Sequence, residues 1–282
     1  MALYGRMETL RWAYNFVLSD KAIAQLIQVV ILIFIVFNVL IICKSLIDIM
    51  STYASSTTVL LPYLYDGPQV IYQDPNQQGS NTIYPSVNAP SGLEFSYSCF
   101  LLINKSTFQG GSNGLRHIFH KGSPVYKPLM CPGVFVRNND NALVIYMNEA
   151  KSWNTYCELP NIPVGKFFHL AIIVRNMNVD VYINGNVAHR MTLNSVPKQN
   201  FGDVYVFKNE SYSDASNAPD SPFTVVGSAT GLISSLAYTG YALNYEQIDS
   251  LVRNGPSTKL VSATQNLPPY LADNWWVTYY SA

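Results

Sequence analysis

The stretch AIAQLIQVVILIFIVFNVLIIC, Ala22–Cys43, runs 22 residues without a charge between Lys21 and Lys44. At about 1.5 Å rise per residue, a helix of this length covers roughly 33 Å, the depth of a bilayer's hydrocarbon core. A soluble core helix so long carries a polar stripe; here only Gln25, Gln28 and Asn38 stand out. The pattern predicts a transmembrane helix over residues 21–46, with Ala22, Gln25, Gln28, Phe34, Asn38 and Cys43 inside the membrane. A signal peptide has a shorter apolar core, about 7–15 residues. Thr52-Tyr53-Ala54 is also a poor cleavage site. The segment therefore reads as an uncleaved anchor.

Its flanks set an expected orientation. Arg6, Arg11 and Lys21 precede it, only Lys44 follows closely, and the next cation is Lys105. The positive-inside rule puts the N-terminus inside and the large remainder outside or in a lumen. Asn104-Lys105-Ser106 and Asn209-Glu210-Ser211 are glycosylation sequons that suit this orientation but also occur by chance. In the arm, residues 1–20, Leu3, Met7, Leu10, Tyr14 and Val17 recur at helical spacing, with Trp12, Tyr14 and Phe16 of interfacial type. Two readings stand: an amphipathic surface helix ending at Ser19-Asp20, or a simple extension of the anchor. The amides of Gln25, Gln28 and Asn38 seek a neighbouring helix or, for the glutamines, the headgroup layer.

The chain as a whole is neutral, and only 12% of its residues are charged. That balance gives no electrostatic footprint for nucleic acid and no basic run for anionic lipid. Twenty Tyr and thirteen Phe favour an all-β domain with broad apolar faces. Of the four cysteines, Cys43 ends the anchor. Cys99, Cys131 and Cys157 match no zinc spacing and read as small core residues, one disulfide among them being left open.

Residues 47–91 form a connector in which Leu60–Tyr65 and Val70–Tyr72 read as possible first strands around Asp66-Gly67-Pro68. From Gly92 the apolar period becomes two: Phe95, Tyr97, Cys99 and Leu101 alternate with Glu94, Ser96 and Ser98. Strand-like runs follow at 115–121, 133–137, 142–148, 167–175, 179–183, 187–193, 204–208, 223–226 and 232–239, each bounded by turn residues. Asn184-Gly185 marks a hairpin. A short helix starts at Asn244, with Gln247 three residues on, and stops at Gly255-Pro256. Residues 257–282 form a tail.

Val164-Gly165-Lys166-Phe167-Phe168-His169-Leu170-Ala171-Ile172-Ile173-Val174 followed by Val179-Asp180-Val181-Tyr182-Ile183-Asn184-Gly185 resembles the paired strands of concanavalin A-like jelly rolls of the laminin G-like type. Gly231–Tyr238 with Tyr241–Ile248 resembles that family's closing strand and short helix. The resemblance covers residues 92–256. It implies an all-β, laminin G-like jelly-roll sandwich behind a single N-terminal transmembrane helix, with one short helix near the sandwich's end. Such folds host lectins, adhesion modules and hydrolases. In general style the chain also resembles membrane-associated minor capsid proteins of large icosahedral DNA viruses.

Catalytic residues are not expected. Hydrolases of this sandwich carry alternating acids on one strand. Here Glu94, Glu149 and Glu158 stand apart and read as solvated surface acids. His117 and His120 differ in strand parity and are expected on opposite faces. No metal site is expected; the resemblance alone leaves calcium open. Asn138-Asn139-Asp140-Asn141, and the loop with Asp214, Asn217 and Asp220, would supply oxygens or simply form turns. In the tail, Trp275, Trp276, Tyr279 and Tyr280 read either as a partner's anchors, as interfacial residues or as a last strand. The expected function is non-enzymatic: a membrane-anchored structural protein whose jelly roll contacts neighbouring proteins such as those of a capsid. The alternative is a glycan-binding lectin or adhesion ectodomain.

Overall fold

The structure, a computed structural model, describes residues 11, 14–15, 21–86, 92–108, 113–214 and 223–261. Expectations for the tail aromatics Trp275, Trp276, Tyr279 and Tyr280, for Asn217 and Asp220, and for nearly all of the arm lie outside the described residues. The chain divides into two units, Met1–Ser55 and Ser56–Ala282.

The first unit contains α1, Lys21–Ser55. Within it Gln25–Ile47, 23 residues, is long and apolar enough to cross a membrane. Gln25, Gln28, Phe34, Asn38 and Cys43 all present exposed side chains. The helix runs nine residues past position 46. No Gly or Pro interrupts Lys44–Ser55, and the β-branched run Thr57-Thr58-Val59 then favours a strand. Asn38 Nδ2 donates to the Phe34 carbonyl at 2.7 Å, so its amide is partly satisfied one turn back within its own helix.

The second unit is a sandwich of two sheets. Its strands are β1 Thr57–Tyr65, β2 Gln69–Ile71, β3 Glu94–Ile103, β4 Leu115–Gly122, β5 Met130–Arg137, β6 Leu143–Met147, β7 Thr155–Leu159 and β8 Phe168–Arg175. They continue with β9 Asn178–Ile183, β10 Asn186–Thr192, β11 Asp203–Val206, β12 Ser211–Asp214, β13 Phe223–Ser228, β14 Gly231–Thr239 and β15 Leu260–Val261. One sheet has the order β10-β9-β8-β3-β14-β1-β15. The other runs β12-β13-β4-β5-β6-β7, with β11 bridging β4 and β2. Inward residues of both sheets, among them Phe95, Leu101, Ile118, Val134, Ile145, Ile172 and Leu236, form one buried core. The strands at 155–159, 211–214 and 260–261 carry no clear sequence signal: the first two are short and half polar, and the last is only two residues long.

The local signals fold as their chemistry dictates. Asn184 and Gly185 both take positive φ, 50° and 81°, the requirement of the tight turn joining β9 to β10. Helix α2, Tyr245–Asn254, opens on a reciprocal capping box. Gln247 N–H donates to Asn244 Oδ1 at 2.8 Å, and Asn244 N–H donates to Gln247 Oε1 at 2.9 Å. Its Ile248 packs with Ala171, Ile173, Tyr182 and Leu243 on the outer face of the first sheet.

Two expectations are corrected here. His117 and His120 share a face. Their strand pairs His117 with Phe135 and then Phe119 with Val134, so two steps on β4 match one on β5. This bulge sends both Ile118 and Phe119 into the core and reverses the facing of the residues after it. Both histidines are fully buried, and His117 Nε2 lies 2.8 Å from His120 Nδ1. Glu149 is 2% exposed rather than solvated. It accepts from Thr155 Oγ1, from Ser195 N–H at 2.6 Å and from Ser195 Oγ at 3.1 Å. Burial raises its carboxyl, but these hydrogen bonds outweigh that and leave it below its usual value.

Candidate functional site

Strand parity aims a set of side chains away from the core on the second sheet. On β5, Val134 and Val136 enter the core and Phe135 does not; on β6, Leu143, Ile145 and Met147 enter while Val144 and Tyr146 stay outside. On β7, Cys157 and Leu159 enter, which puts Tyr156 and Glu158 on the outer face. Register sets Tyr146 opposite Tyr156 and Val144 opposite Glu158. The outer face carries its own apolar layer of Tyr126, Phe135, Val144, Tyr146, Phe223 and Val225.

Upon this layer lies a cleft of about 460 Å³. Arg137, Asp140, Tyr146, Tyr156, Glu158 and Thr224 all border it. The Tyr146 and Tyr156 rings sit 5.2 Å apart at 33°. Beside them Arg137 grips Glu158 with two parallel hydrogen bonds, Nε to Oε1 at 2.6 Å and Nη2 to Oε2 at 2.5 Å. The guanidinium holds the Glu158 carboxyl below its usual value, and Glu158 in turn raises Arg137. Glu158 is thus a paired, half-buried acid, not the free surface group the sequence suggested. Burial raises the Tyr146 phenol, so it stays a neutral donor. Nearby, Trp153 meets Phe223 edge-on at 5.4 Å, and Lys127 Nζ lies 5.2 Å from the Trp153 ring centroid. The face therefore offers flat aromatic surface beside fixed donors and acceptors. That combination suits a polar, ring-shaped ligand.

Of the other sequence candidates, Asn139 and Asp140 border the same cleft. The 138–141 segment is the turn between β5 and β6. Asp140 Oδ1 accepts from Ala142 N–H at 3.1 Å, and Asn138 Oδ1 from Arg116 Nε at 2.8 Å. Those oxygens serve the turn and its neighbours. Among the described residues no group of three or more His, Cys, Asp or Glu is placed to hold a metal. Cys99, Cys131 and Cys157 are buried free thiols. The paired tyrosines and the Arg137–Glu158 fork escape sequence reasoning because β7 does. Its TYCEL run alternates only once around Cys157, too short a signal by itself.

Comparison with known proteins matches residues 131–249 to the family described as the concanavalin A-like lectin/glucanases superfamily. No curated protein matches the chain. Among solved structures it is similar to the botulinum neurotoxin serotype D binding domain: 11% identity, TM-score 0.46, covering 70% of this chain and 51% of that one. It is also similar to the receptor binding domain of botulinum neurotoxin D, with 13% identity and TM-score 0.45 over 70% of this chain and 46% of that one. A third is the binding domain of botulinum neurotoxin DC in complex with SialylT, with 15% identity and TM-score 0.40 over 57% and 35%. The chain spans between a third and about half the length of these structures. The larger unit is a mostly β sandwich of the concanavalin A-like type, with an apolar N-terminal helix before it and one short helix near its C-terminal end.

Proposed function

We propose that this chain is a non-catalytic binding module held on a membrane by α1, and that its outer cleft takes a saccharide. The carrying observation is the Tyr146–Tyr156 pair set against the Arg137–Glu158 fork. Sugar rings present apolar C–H faces to aromatic rings and hydroxyls to fixed forks, so both halves of the cleft are used. Glu158 and Glu149 are both held below their usual values. A glycosidase acid needs the opposite shift, which supports a binding role. In this reading Ala22, Gln25, Gln28, Phe34, Asn38 and Cys43 lie in the bilayer, the N-terminus is inside, and the sandwich is outside or lumenal.

The test is a glycan array probed with the full-length chain in lipid nanodiscs, wild type against Tyr156→Ala. Binding to a defined glycan set that the variant loses by about tenfold or more supports the proposal, the size expected when a central aromatic anchor is truncated. Silence across the array overturns it.

A second reading has its own support. Strand β10 forms one edge of its sheet, and its Val187 is 53% exposed. Such an edge accepts a strand from a neighbour. The chain would then tie a membrane to adjoining proteins of an assembly such as a viral capsid. Cross-linking in the native assembly that captures a protein neighbour at β10 favours this reading; a sandwich touching no protein ends it.

A further inference from the structure

Asn38 is the least accommodated group in α1. The apolar stretch Gln25–Ile47 is centred on Val36. In a bilayer this puts Asn38 about 3 Å from the midplane and about 14 Å from the nearer end of the stretch. Neither headgroups nor water reach that depth. Its bond to the Phe34 carbonyl uses one amide hydrogen, so the second hydrogen and the oxygen remain to be satisfied. A polar group left unpaired in hydrocarbon is costly. Among the described residues α1 is the one helix able to cross a membrane. The completing group therefore comes from outside this copy of the chain.

The sequence marks the face that meets it. Alternate steps of three and four residues, the a and d positions of a heptad, connect Gln28, Ile31, Ile35, Asn38, Ile42 and Ser45. This seam collects both amides that lie deeper than Gln25 and the one hydroxyl of the stretch. Every residue off the seam between positions 29 and 43 is apolar. All six seam side chains are exposed, so no described part of the chain covers them. The isoleucines at 35 and 42 occupy the positions where β-branched residues favour a parallel two-stranded coil. Left-handed crossings of about 20° are ordinary for membrane helices.

Hydrogen-bond chemistry chooses the occupant. An amide both donates and accepts, so it complements another amide. A second copy carries one at the same depth, because the same flanking charges insert it in the same direction. Two-fold symmetry then sets Asn38 against Asn38 and Gln28 against Gln28. A helix of unrelated sequence would need its own polar group at that depth and on the facing side.

We propose that α1 pairs in parallel with α1 of a second copy through the Gln28–Asn38–Ser45 seam, making the membrane-held chain a dimer. The inference rests on the reading that α1 spans the bilayer.

The test uses the full-length chain in phosphatidylcholine vesicles, with donor or acceptor dye at the N-terminus. Energy transfer is followed as lipid dilutes the protein. Transfer well above that of randomly placed chains is expected. Asn38→Leu is expected to raise the dissociation constant in the membrane roughly tenfold, the size for one interhelical amide contact. Asn38→Gln, which keeps an amide, should stay within about threefold of wild type, and Phe37→Leu, on the far side from the seam, should change nothing. Cysteines read the face directly. In a Cys43→Ser background, Ile35→Cys is expected to form disulfide-linked dimers with copper phenanthroline and Phe37→Cys is not, the sandwich thiols being buried. Retention through a carbonate wash is measured on the same vesicles. A chain that stays but shows only random transfer refutes the pairing while the span stands. Equal weakening by Asn38→Leu and Phe37→Leu, or equal cross-linking at 35 and 37, refutes it too. A chain stripped by the wash has lost the span, and the pairing falls with it.

Discussion

His117 and His120 show how much one residue's position decides. Lys208 N–H donates to His117 Nδ1 at 2.9 Å. His117 must then carry its proton on Nε2, which donates to His120 Nδ1, and His120 Nε2–H donates to the Ser123 carbonyl at 3.0 Å. Every ring nitrogen is used only while both rings are neutral. Burial enforces this: it pushes His117 well below its usual value and His120 to about 4, and it brings His169 to about 4 as well. The unfolded chain binds protons at these sites from about pH 6.5 downward, while the folded chain does not until about pH 4. Stability is therefore full above about pH 6.5 and lost as pH falls toward 4. At pH 5 the loss is about 2 kcal/mol for His120 and as much for His169. Urea midpoints at pH 7.5 and 5 check this, and equal midpoints would refute it. The sequence revealed the residue types but not this network, because a single inserted residue at the bulge inverts the parity from which faces are read.

At the scale of elements, legibility follows how local the cause is. Turn Asn184-Gly185 and the box Asn244–Gln247 are determined within four residues, and both form as read. Strands β7 and β12 owe their existence to neighbours: β7 lies at an edge beside β6, and among the described residues β12 pairs only with β13. Their own runs are too short and too polar to announce them. Glu149 misled for the same reason. Its partners Asn194 and Ser195 come from 45 and 46 residues away. The cleft inherits this blindness, since its Tyr156 and Glu158 stand on β7. A local element also gives a local prediction. Asn244→Ala removes the acceptor for Gln247 N–H and should cost about 1 kcal/mol. The loss should appear as a lower melting temperature, with saccharide affinity unchanged because α2 packs on the opposite sheet from the cleft. A drop in both would mean that α2 couples to the cleft.

For the whole molecule, the decisive contrast is between its two units. The sandwich buries its apolar residues in its own core. Helix α1 does not: Leu32, Phe34, Phe37 and Leu40 are each 60% exposed or more. Exposing so continuous an apolar surface to water is unfavourable at about 25 cal/mol per Å², so the helix demands lipid, detergent or another apolar surface. The full-length chain is expected to aggregate in plain buffer and to be monodisperse in detergent. The charges flanking the helix then choose its direction. Asn104 and Asn209, in the two sequons, are both exposed on the sandwich. Translation into microsomes should therefore add glycans there and shield the sandwich from added protease, with both effects reversing when Arg6 and Arg11 are replaced by Glu and two lysines are inserted after Lys44. If the sandwich is unglycosylated and digested in the wild type, the assigned orientation is wrong. If the chain pellets with membranes only until a carbonate wash, α1 does not span at all.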